Sequence, residues 1–540
     1  MVRPGEDRGL AWRPWARAGG AVLAIVAVAA TVHGLVNPYN FTGWDEWLYL
    51  DLVSRGLVSF PHSNRPLALL FVLPAAWLSP GSFLGFHWLH LAYTAGTGVV
   101  TWAFARRLVP GDLLPLAAGT IAAVWAPADD LRLATVLTSV AAGVAFGASA
   151  ALVLFAASWR LGRQVLLWAS GALAFVVVRS YEPTVVLLAG APLAMILIPP
   201  ARPGRGRTWL LVFGGWIAVA AMLAAVRPGD ARPGELYQDA AVLDPNPPAV
   251  VSRLAGQFDA LVRPAFLPGA IRTAPPVLAA PLLFLIAAIT LGWFRSDGSE
   301  STPRPGRVLA AGIAWTTLGL LPFCLSPVFR PGSRSQFLCA LGVGITCAAL
   351  LGLATRRFAR PSRVALIAAC AGWLVLVGAA RTATMQDAWS REGAWPRQSA
   401  LLSRLRQVCP DLRPGTLLIL LDRTGAFDST FAFRHAIRLR YGGHAIGWVA
   451  SAAVGDLFYP TVVRGDGIHV DVWPMHQRAW GEKPQVFQPR ETVVVFADAA
   501  GHVSLVERWP ANVLGPLPAG ADYAPAERIV DVVPSTPAYW

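Results

Sequence analysis

Two neighbouring carboxylates, Asp45 and Glu46, are the residues of this sequence best suited to acid–base chemistry. They follow the first long apolar run and lie between Trp44 and Trp47. A carboxylate at an apolar, aromatic surface can have a displaced pKa, which suits a general base. The alternative interpretation is a solvated acidic turn beside interfacial tryptophans.

A second acidic pair, Asp129 and Asp130, follows the third apolar run and precedes Arg132. These side chains could orient a substrate. Together with Asp45 they could also bind a divalent cation such as Mg²⁺ or Mn²⁺, because these metals prefer carboxylate oxygens. The alternative is helix capping after the third run.

Composition limits the classes of protein that these residues can belong to. Of 540 residues, 55% are hydrophobic and 14% are charged, whereas an average soluble chain is about a quarter charged. This excludes a disordered chain and disfavours an ordinary soluble enzyme. The apolar residues form runs of about 15–23 residues, the length that a helix needs to cross a bilayer.

Eleven such runs predict an α-helical polytopic membrane protein with a C-terminal soluble α/β or α+β domain. The expected division is a membrane domain over 1–380 and a soluble domain over 381–540. The predicted runs are 18–36, 83–105, 113–128, 136–157, 165–178, 184–199, 208–226, 276–294, 308–323, 335–354 and 364–380.

The arginines predict the orientation of these spans. With the N-terminus in the cytoplasm, the cytoplasmic segments hold 18 arginines against five acidic residues, as the positive-inside rule requires. The formal net charge of +14 is therefore mostly an orientation signal, and nucleic acid is not an expected partner. We expect a multi-pass protein of a bacterial inner membrane with an extracytoplasmic C-terminal domain.

Two long external loops, 37–82 and 227–275, gather the polar residues at the outer face. The stretch Leu67–Leu78 is too short to span, so we expect a helix lying on the outer membrane surface. A transporter usually keeps polar groups inside its spans, whereas these spans contain no Asp, Glu, Lys or Arg. The pattern favours a site at the membrane–water boundary, for a substrate with a lipid anchor.

Histidines also lie in this outer region. His87 and His90 are three residues apart near the outer end of the second run, so they share one helical face. With His62 they suggest zinc, but nothing in the sequence fixes His62 near the other two. We interpret them as a wet interfacial pair beside Trp88, and His87 as a candidate substrate-binding residue.

The tail after residue 380 has ordinary charge and shorter apolar segments. Segment 389–408 has helical spacing, and Thr416–Leu421 and Thr492–Phe496 are typical of buried strands. The tail shows no phosphate loop, nucleophile elbow or metal-binding spacing. Recognition of an acceptor, or packing over the external loops, is its expected role.

This arrangement resembles the GT-C superfamily of multi-spanning glycosyltransferases, especially the protein O-mannosyltransferase and lipid A aminoarabinose transferase group. The matching features are Asp45–Glu46 after the first span, the segment from Asn64 to Leu78, Arg106-Arg107-Leu108 and the acidic loop Asp129–Asp130. A Lys-Gly-Pro motif that is common in the group is replaced here by Arg179-Ser-Tyr-Glu182-Pro183. Arg179 and Glu182 are therefore candidates for contacts with the substrate.

The resemblance implies transfer of a sugar, with inversion, from a polyprenyl-phosphate donor to a glycan, lipid or protein acceptor. Asp45 would be the base, with Glu46 beside it in the catalytic pair. It also implies a site without a metal, with a divalent cation such as Mg²⁺ or Mn²⁺ as the alternative.

The departing lipid phosphate needs cationic partners, and arginine can grip two phosphate oxygens at once. Arg330 and Arg334, in a short outer loop, are the first candidates, with Arg65 and Arg179 as secondary ones. Their alternative role is interfacial anchoring. Two other functions remain open: a polysaccharide ligase or polymerase that uses a diphosphate-linked glycan, and a lipid or glycan transporter.

Overall fold

The computed structural model describes residues 7–58, 65–125, 129–200, 205–225, 244–271, 273–293, 303–327, 335–450, 458–517 and 519–531. Its first part is a bundle of apolar helices, and its last part is a domain that contains three small sheets.

The α-helices are numbered in chain order over the described residues. They are α1 (Asp7–His33), α2 (Asp45–Ser54), α3 (Leu73–Leu78), α4 (Leu84–Ala105), α5 (Leu113–Val124), α6 (Thr135–Leu161), α7 (Gln164–Ser180), α8 (Thr184–Leu188), α9 (Ala191–Leu197), α10 (Gly206–Ala225), α11 (Pro247–Phe266), α12 (Pro275–Trp293), α13 (Pro305–Cys324), α14 (Ala340–Thr355), α15 (Arg360–Glu392), α16 (Trp395–Val408), α17 (Thr430–Arg440), α18 (Pro474–Trp480) and α19 (Ala511–Leu514).

The strands are β1 (Asp411–Leu412), β2 (Thr416–Asp422), β3 (Ala445–Val449), β4 (Thr461–Arg464), β5 (Gly467–Val470), β6 (Gln485–Phe487), β7 (Thr492–Ala497), β8 (Val503–Leu505) and β9 (Ile529–Val530). Short 3₁₀-helices lie at Ala68–Phe71, Asp130–Leu133, Phe337–Cys339, Pro489–Glu491 and Pro525–Arg528.

Helices occupy all eleven apolar runs, which confirms the predicted class of helical membrane protein. Seven described helical segments are both long and apolar enough to cross a bilayer, and three shorter apolar ones lie over 113–124, 164–180 and 184–197. The helix over the second run, α4, has 22 residues and includes His87 and His90. Glycines allow its close packing on α5: a Cβ at Gly98 or at Gly119 would lie 2.7 Å from the other glycine's carbonyl oxygen.

The segment over 37–82, predicted to be the first external loop, is helical at both ends of its described part. Acidic side chains in the first turn of α2 suit its positive end, and its leucines are buried. Within Leu67–Leu78, predicted to be a surface helix, the chain forms the 3₁₀-helix at Ala68–Phe71 and then α3. Trp77 and Leu78 there are about 70% exposed, although Leu69 and Val72 are buried. The segment therefore presents one apolar face outward and packs the other on the protein.

The C-terminal part is an α/β domain, as predicted. Strand β2 is central, parallel to β3 on one side and to β7 on the other, and β8 adds to β7 in the antiparallel sense. The predicted strands are confirmed as β2 and β7, and residues 395–408 of the predicted helix form α16. Strands β4, β5 and β6 form a second, antiparallel sheet, and β1 pairs with β9.

The first external loop and the C-terminal domain share one hydrophobic core. Trp47, Leu50 and Leu52 of α2 are fully buried in the same cluster as Phe433 and Ile437 of α17. Helix α15 runs without a break from the bundle to Glu392, and α16 follows after two residues. The C-terminal domain is thus packed directly against the loop that carries Asp45.

A buried polar network completes this junction. Asp51 of α2 lies 2.8 Å from Nδ1 of His435 in α17, and Nε2 of His435 lies 3.4 Å from the hydroxyl of Tyr459. Arg434 and Arg438 pair with the carboxylate of Glu482. Arg438 also lies 3.8 Å, and Arg55 3.7 Å, from the Asp51 carboxylate.

Burial lowers the pKa of His435 to about 4, assisted by the positive charges of Arg438 and Arg434, although Asp51 opposes the shift. Burial alone would raise the pKa of Asp51, but its hydrogen bond with His435 and the nearby cations lower it overall. His435 is therefore neutral in the folded protein, donating from Nδ1 to the Asp51 carboxylate.

This junction should weaken in acid. The folded pKa of His435 lies below its ordinary value of 6.5, so the unfolded chain binds the proton more readily between about pH 4 and 6.5. The depressed pKa of Asp51 acts in the same direction at lower pH, below its ordinary value of 3.8. The melting temperature is therefore expected to fall as the pH drops from 7 to 5, measured by differential scanning fluorimetry in detergent.

His435→Asn keeps a donor for Asp51 but does not titrate, so it should flatten this dependence. The matched control is His502→Asn, because His502 also pairs with an aspartate, Asp498, but on the exposed surface. Equal pH slopes for wild type and His435→Asn would contradict the expectation.

Candidate active site

A cavity of about 80 Å³ lies inside the end of the helix bundle that faces the C-terminal domain. It is bounded by the C-terminal end of α1, the first half of α4, the loop between α5 and α6, the start of α14 and the part of α15 nearest Glu392. Most of its wall is apolar. The polar side chains on its lining are His33, His90, Thr94, Thr97, Arg132, Gln336 and Thr382. We call this space, with the side chains that line it, the polar cavity.

Arg132 supplies the positive charge of the polar cavity. One terminal nitrogen donates to the hydroxyl of Thr382 at 2.6 Å, and the other to the carbonyl oxygen of Val124 at 3.3 Å. Its buried Nε has no hydrogen-bond partner among the described residues. Burial lowers the pKa of Arg132 to about 10, while Asp129 acts in the opposite direction, so the guanidinium remains charged at pH 7.

Gln336 lies on the lining of the polar cavity, and its side chain has no hydrogen-bond partner among the described residues. Only 1% of the residue is exposed, yet neither its amide nitrogen nor its amide oxygen is hydrogen-bonded within the described part of the chain. A buried polar atom without a partner costs roughly 1–3 kcal/mol. A donor and an acceptor on a residue that lines a cavity are therefore candidate contacts for a polar ligand.

Asp129 fixes the backbone around these two residues. Its side chain accepts a hydrogen bond from the Gln336 backbone N–H at 3.1 Å, and its carbonyl oxygen accepts one from the Arg132 N–H at 3.4 Å. The carboxylate is completely buried. Asp129, predicted to bind substrate, is thus brought to the polar cavity, where its observed contacts hold the groups that line it.

Three histidines meet at the same end of the bundle. The ring of His33 lies 3.9 Å from that of His87 and 5.0 Å from that of His90, measured between centroids. Nε2 of His33 and Nδ1 of His87 are buried without hydrogen-bond partners among the described residues. The structure therefore places His87 next to the polar cavity, behind His33.

The catalytic pair predicted from the sequence is divided between two environments. Glu46 is fully buried and accepts hydrogen bonds from the backbone N–H of Thr42 at 2.7 Å, from its hydroxyl, and from the N–H of Trp44 at 3.4 Å. Burial raises the pKa of Glu46, although the hydrogen bonds from Thr42 act against this. These contacts make Glu46 an internal brace of the loop.

Asp45 is partly exposed and makes no hydrogen bond or ion pair within the described residues. It lies at the first position of α2, and it is not on the lining of the polar cavity. Of the predicted pair, Asp45 is the carboxylate available to a ligand from outside.

Arg65, Arg179 and Glu182 form a separate cluster. Arg65 pairs with Glu182 at 2.8 Å and lies over the ring of Tyr181 at 4.7 Å. Burial alone would lower the pKa of Arg65, but Glu182 and Tyr181 raise it overall. The carbonyl oxygen of Arg179 accepts a hydrogen bond from the Leu67 N–H at 3.4 Å. These contacts hold the first external loop on α7, and none of the three residues lines the polar cavity.

Some predicted residues lie outside the described part of the chain. Arg330 and Arg334 are among them, as are His62 and most of the segment before α11. Asp130 begins the 3₁₀-helix at Asp130–Leu133, but its side chain is also outside the described part. Their predicted roles remain predictions.

The described part of the second long loop covers one flank of the polar cavity. Leu261 of α11 accepts a hydrogen bond from the indole N–H of Trp125, which lies on the cavity lining. Gln257 of α11 accepts one from the hydroxyl of Ser335, the neighbour of Gln336. Helix α11 is therefore tied to two sides of the site.

Sequence reasoning missed His33, Gln336 and Thr382 and gave Arg132 no role. A signal was present for His33, because it lies inside the first apolar run, where an ionisable residue is a functional candidate. His33 is not among the Asp, Glu, Lys and Arg residues by which the spans are judged to be free of charge. Arg132 was visible as a cation beside the acidic pair.

A metal site requires several ligand side chains around one point. Among the described residues, no group of three His, Cys, Asp or Glu side chains is arranged in this way. The ring of His33 packs against the rings of both His87 and His90.

Comparison with solved structures finds similar chains, whereas comparison with family models and with curated proteins finds none. A solved structure, the Archaeoglobus fulgidus oligosaccharyltransferase in complex with Zn and sulfate, matches at 14% identity and a TM-score of 0.42. The alignment covers 78% of this chain and 62% of that chain.

The present chain spans less than two thirds of the length of that protein.

Proposed function

We propose that this protein is a membrane glycosyltransferase. It would take a sugar from a polyprenyl-phosphate donor and transfer it, with inversion, to a glycan, lipid or protein acceptor outside the cytoplasm. The observation that carries the proposal is the polar cavity, where the guanidinium of Arg132 lies among apolar helices with the amide of Gln336, which has no partner in the described part of the chain. This combination suits a ligand with an anionic headgroup and a lipid tail.

The proposed topology follows the arginine pattern. The N-terminus would be cytoplasmic in a bacterial inner membrane, with a membrane domain over 1–380 and an extracytoplasmic domain over 381–540. The polar cavity lies at the end of the bundle that faces the C-terminal domain. In this orientation the donor headgroup would therefore lie on the outer side.

In this mechanism Arg132 binds the donor's phosphate. Its Nε–H has no hydrogen-bond partner among the described residues and could donate to a phosphate oxygen, while the amide of Gln336 could bond a sugar hydroxyl or a second phosphate oxygen. As the glycosidic bond breaks, negative charge grows on the phosphate, and a fixed guanidinium stabilises it in a dry site. Arg330 and Arg334 remain candidates for additional contacts.

Asp45 is the proposed base. The acceptor oxygen forms a bond to the anomeric carbon while the bond from that carbon to the phosphate oxygen breaks. The acceptor's hydroxyl proton passes to the Asp45 carboxylate, and the phosphate oxygen keeps the electron pair. The products are the glycosylated acceptor and the free polyprenyl phosphate.

The charge of the site favours a monophosphate donor over a diphosphate. Arg132 is the one permanent cation on the described lining. A sugar phosphodiester carries one negative charge at pH 7, and a diphosphate carries two. The single guanidinium matches the first, whereas the second would bury an additional charge without a partner.

The test is sugar transfer by the purified protein in detergent, with synthetic polyprenyl-monophosphate sugars and polyprenyl-diphosphate glycans as parallel donors. Release of free polyprenyl phosphate from at least one monophosphate donor is expected. Turnover of diphosphate donors alone would replace the proposal with a ligase or polymerase. No turnover in detergent, together with lipid translocation in proteoliposomes, would identify a transporter.

A further inference from the structure

The side chain of Gln398, in the first half of α16, joins the C-terminal domain to the loop that carries Asp45. Gln398 is 2% exposed, and its amide is well satisfied. Its oxygen accepts a hydrogen bond from the indole N–H of Trp47 at 2.8 Å, and its nitrogen donates to the carbonyl oxygens of Gly43 at 3.2 Å and Ala426 at 3.0 Å.

Two of these contacts lie on either side of Asp45. Gly43 is two residues before it and Trp47 is two residues after it. A single amide therefore fixes the chain both before and after the carboxylate, without touching the carboxylate itself. The third contact, to Ala426, anchors the same amide to the segment after β2 in the C-terminal domain.

The fit between α16 and this loop is close. Gly43 has a φ of 89°, and a Cβ there would lie 2.5 Å from the Cβ of Ala394 and 2.7 Å from Nε2 of Gln398. The backbone N–H of Ala394 donates to the carbonyl oxygen of Phe41 at 3.1 Å. The ring of Trp395 lies 5.6 Å from that of Phe41 and 6.1 Å from that of Trp47.

Glu46 closes the loop from the inside through Thr42 and Trp44, so the loop is braced internally by Glu46 and externally by Gln398. Asp45 lies between these two braces. Such support suits a carboxylate that must reach an acceptor hydroxyl, because a general base is effective only within hydrogen-bond distance of the proton that it accepts.

We propose that Gln398 is a positioning residue for Asp45, so that the C-terminal domain supplies part of the catalytic unit. This inference rests on the proposed function, in which Asp45 is the base. It assigns to the C-terminal domain a role in the transfer step itself.

The test variant is Gln398→Met, which keeps the length of the side chain and removes its three hydrogen bonds. The expected result is a fall in kcat of about 10- to 100-fold, because a misplacement of about 1 Å can cost about 10²-fold. The KM for the donor should stay within about twofold, since the polar cavity does not include this residue. Gln488→Met is the matched control: Gln488 is an exposed residue of the same domain and bonds the Asp466 carbonyl.

A double-mutant cycle separates positioning from general stability. If Gln398 acts through Asp45, Gln398→Met should cause no further loss of activity in an Asp45→Asn background. The same fractional loss in both backgrounds, or a wild-type kcat for Gln398→Met, would overturn the inference. Wild-type activity of Asp45→Asn would instead overturn the proposed function, so the two failures are distinguishable.

A milder variant covers the case in which Gln398→Met does not fold. Trp47→Phe keeps an aromatic ring in the core and removes the indole N–H that donates to Gln398. It should lower kcat in the same direction by a smaller factor, and this loss should also disappear in the Asp45→Asn background. A loss that persists there would count against positioning.

Discussion

Asp45→Asn is expected to lower the turnover number by about 10²–10⁴-fold, the usual contribution of a general base. The substitution keeps the shape of the side chain and removes its ability to take the acceptor's proton. Asp45 is partly exposed and makes no hydrogen bond or ion pair among the described residues, so the fold should tolerate the change. Donor binding should survive, because the polar cavity is intact. The measurement is kcat for sugar release, together with the dissociation constant of the donor lipid.

Glu46→Gln is the matched control for this prediction. Burial raises the pKa of Glu46, and an amide of the same shape can still accept the hydrogen bond from the Thr42 N–H. The loss should therefore be much smaller than for Asp45→Asn. Near-normal turnover of Asp45→Asn, or a larger loss for Glu46→Gln, would remove Asp45 from the mechanism.

Arg132→Ala is expected to raise the donor KM, with a loss of about 10- to 150-fold in kcat/KM. This corresponds to about 1.5–3 kcal/mol, the contribution of one charged hydrogen bond. Arg132→Lys should recover part of the loss, because lysine keeps the charge but has one nitrogen in place of the three that serve Thr382, the Val124 carbonyl and a phosphate. The measurement is the dependence of the transfer rate on donor concentration.

Arg65→Ala is the comparison variant, since Arg65 is already paired with Glu182 away from the polar cavity. It should change protein stability more than donor use. Arg330→Ala and Arg334→Ala complete the set. If both reduce donor use strongly while Arg132→Ala does not, the phosphate site belongs to the loop between α13 and α14, as the sequence first indicated.

The helices and the two main strands could be predicted because their signals are local. Each of the eleven apolar runs proved to be helical, although the run over 184–199 is divided into α8 and α9, and short buried runs located β2 and β7. The acidic pair after the first run was also visible. The sequence did not show that Glu46 is buried and Asp45 partly exposed. Burial of these residues depends on how α2 packs against a C-terminal domain that is distant along the chain.

The two glutamines of the candidate site could not be identified from the sequence either. Gln336 and Gln398 carry no charge and match no motif, and their importance comes only from what surrounds them. Gln398 meets Gly43 across 355 positions of the chain, and His435 meets Asp51 across 384. Such contacts are fixed by tertiary packing, which one sequence without its relatives does not reveal.

Helix α15 has a mechanical consequence. It is continuous over 33 residues, and it carries Thr382, which holds Arg132, and Gln386, whose amide exchanges hydrogen bonds with Asn40 at 2.7 and 3.0 Å. A helix is stiff along its axis, so a tilt imposed at its C-terminal end by the C-terminal domain would move both contacts together. Binding of an acceptor to the C-terminal domain and the affinity of the polar cavity for the donor would then be thermodynamically linked. Such linkage acts equally in both directions.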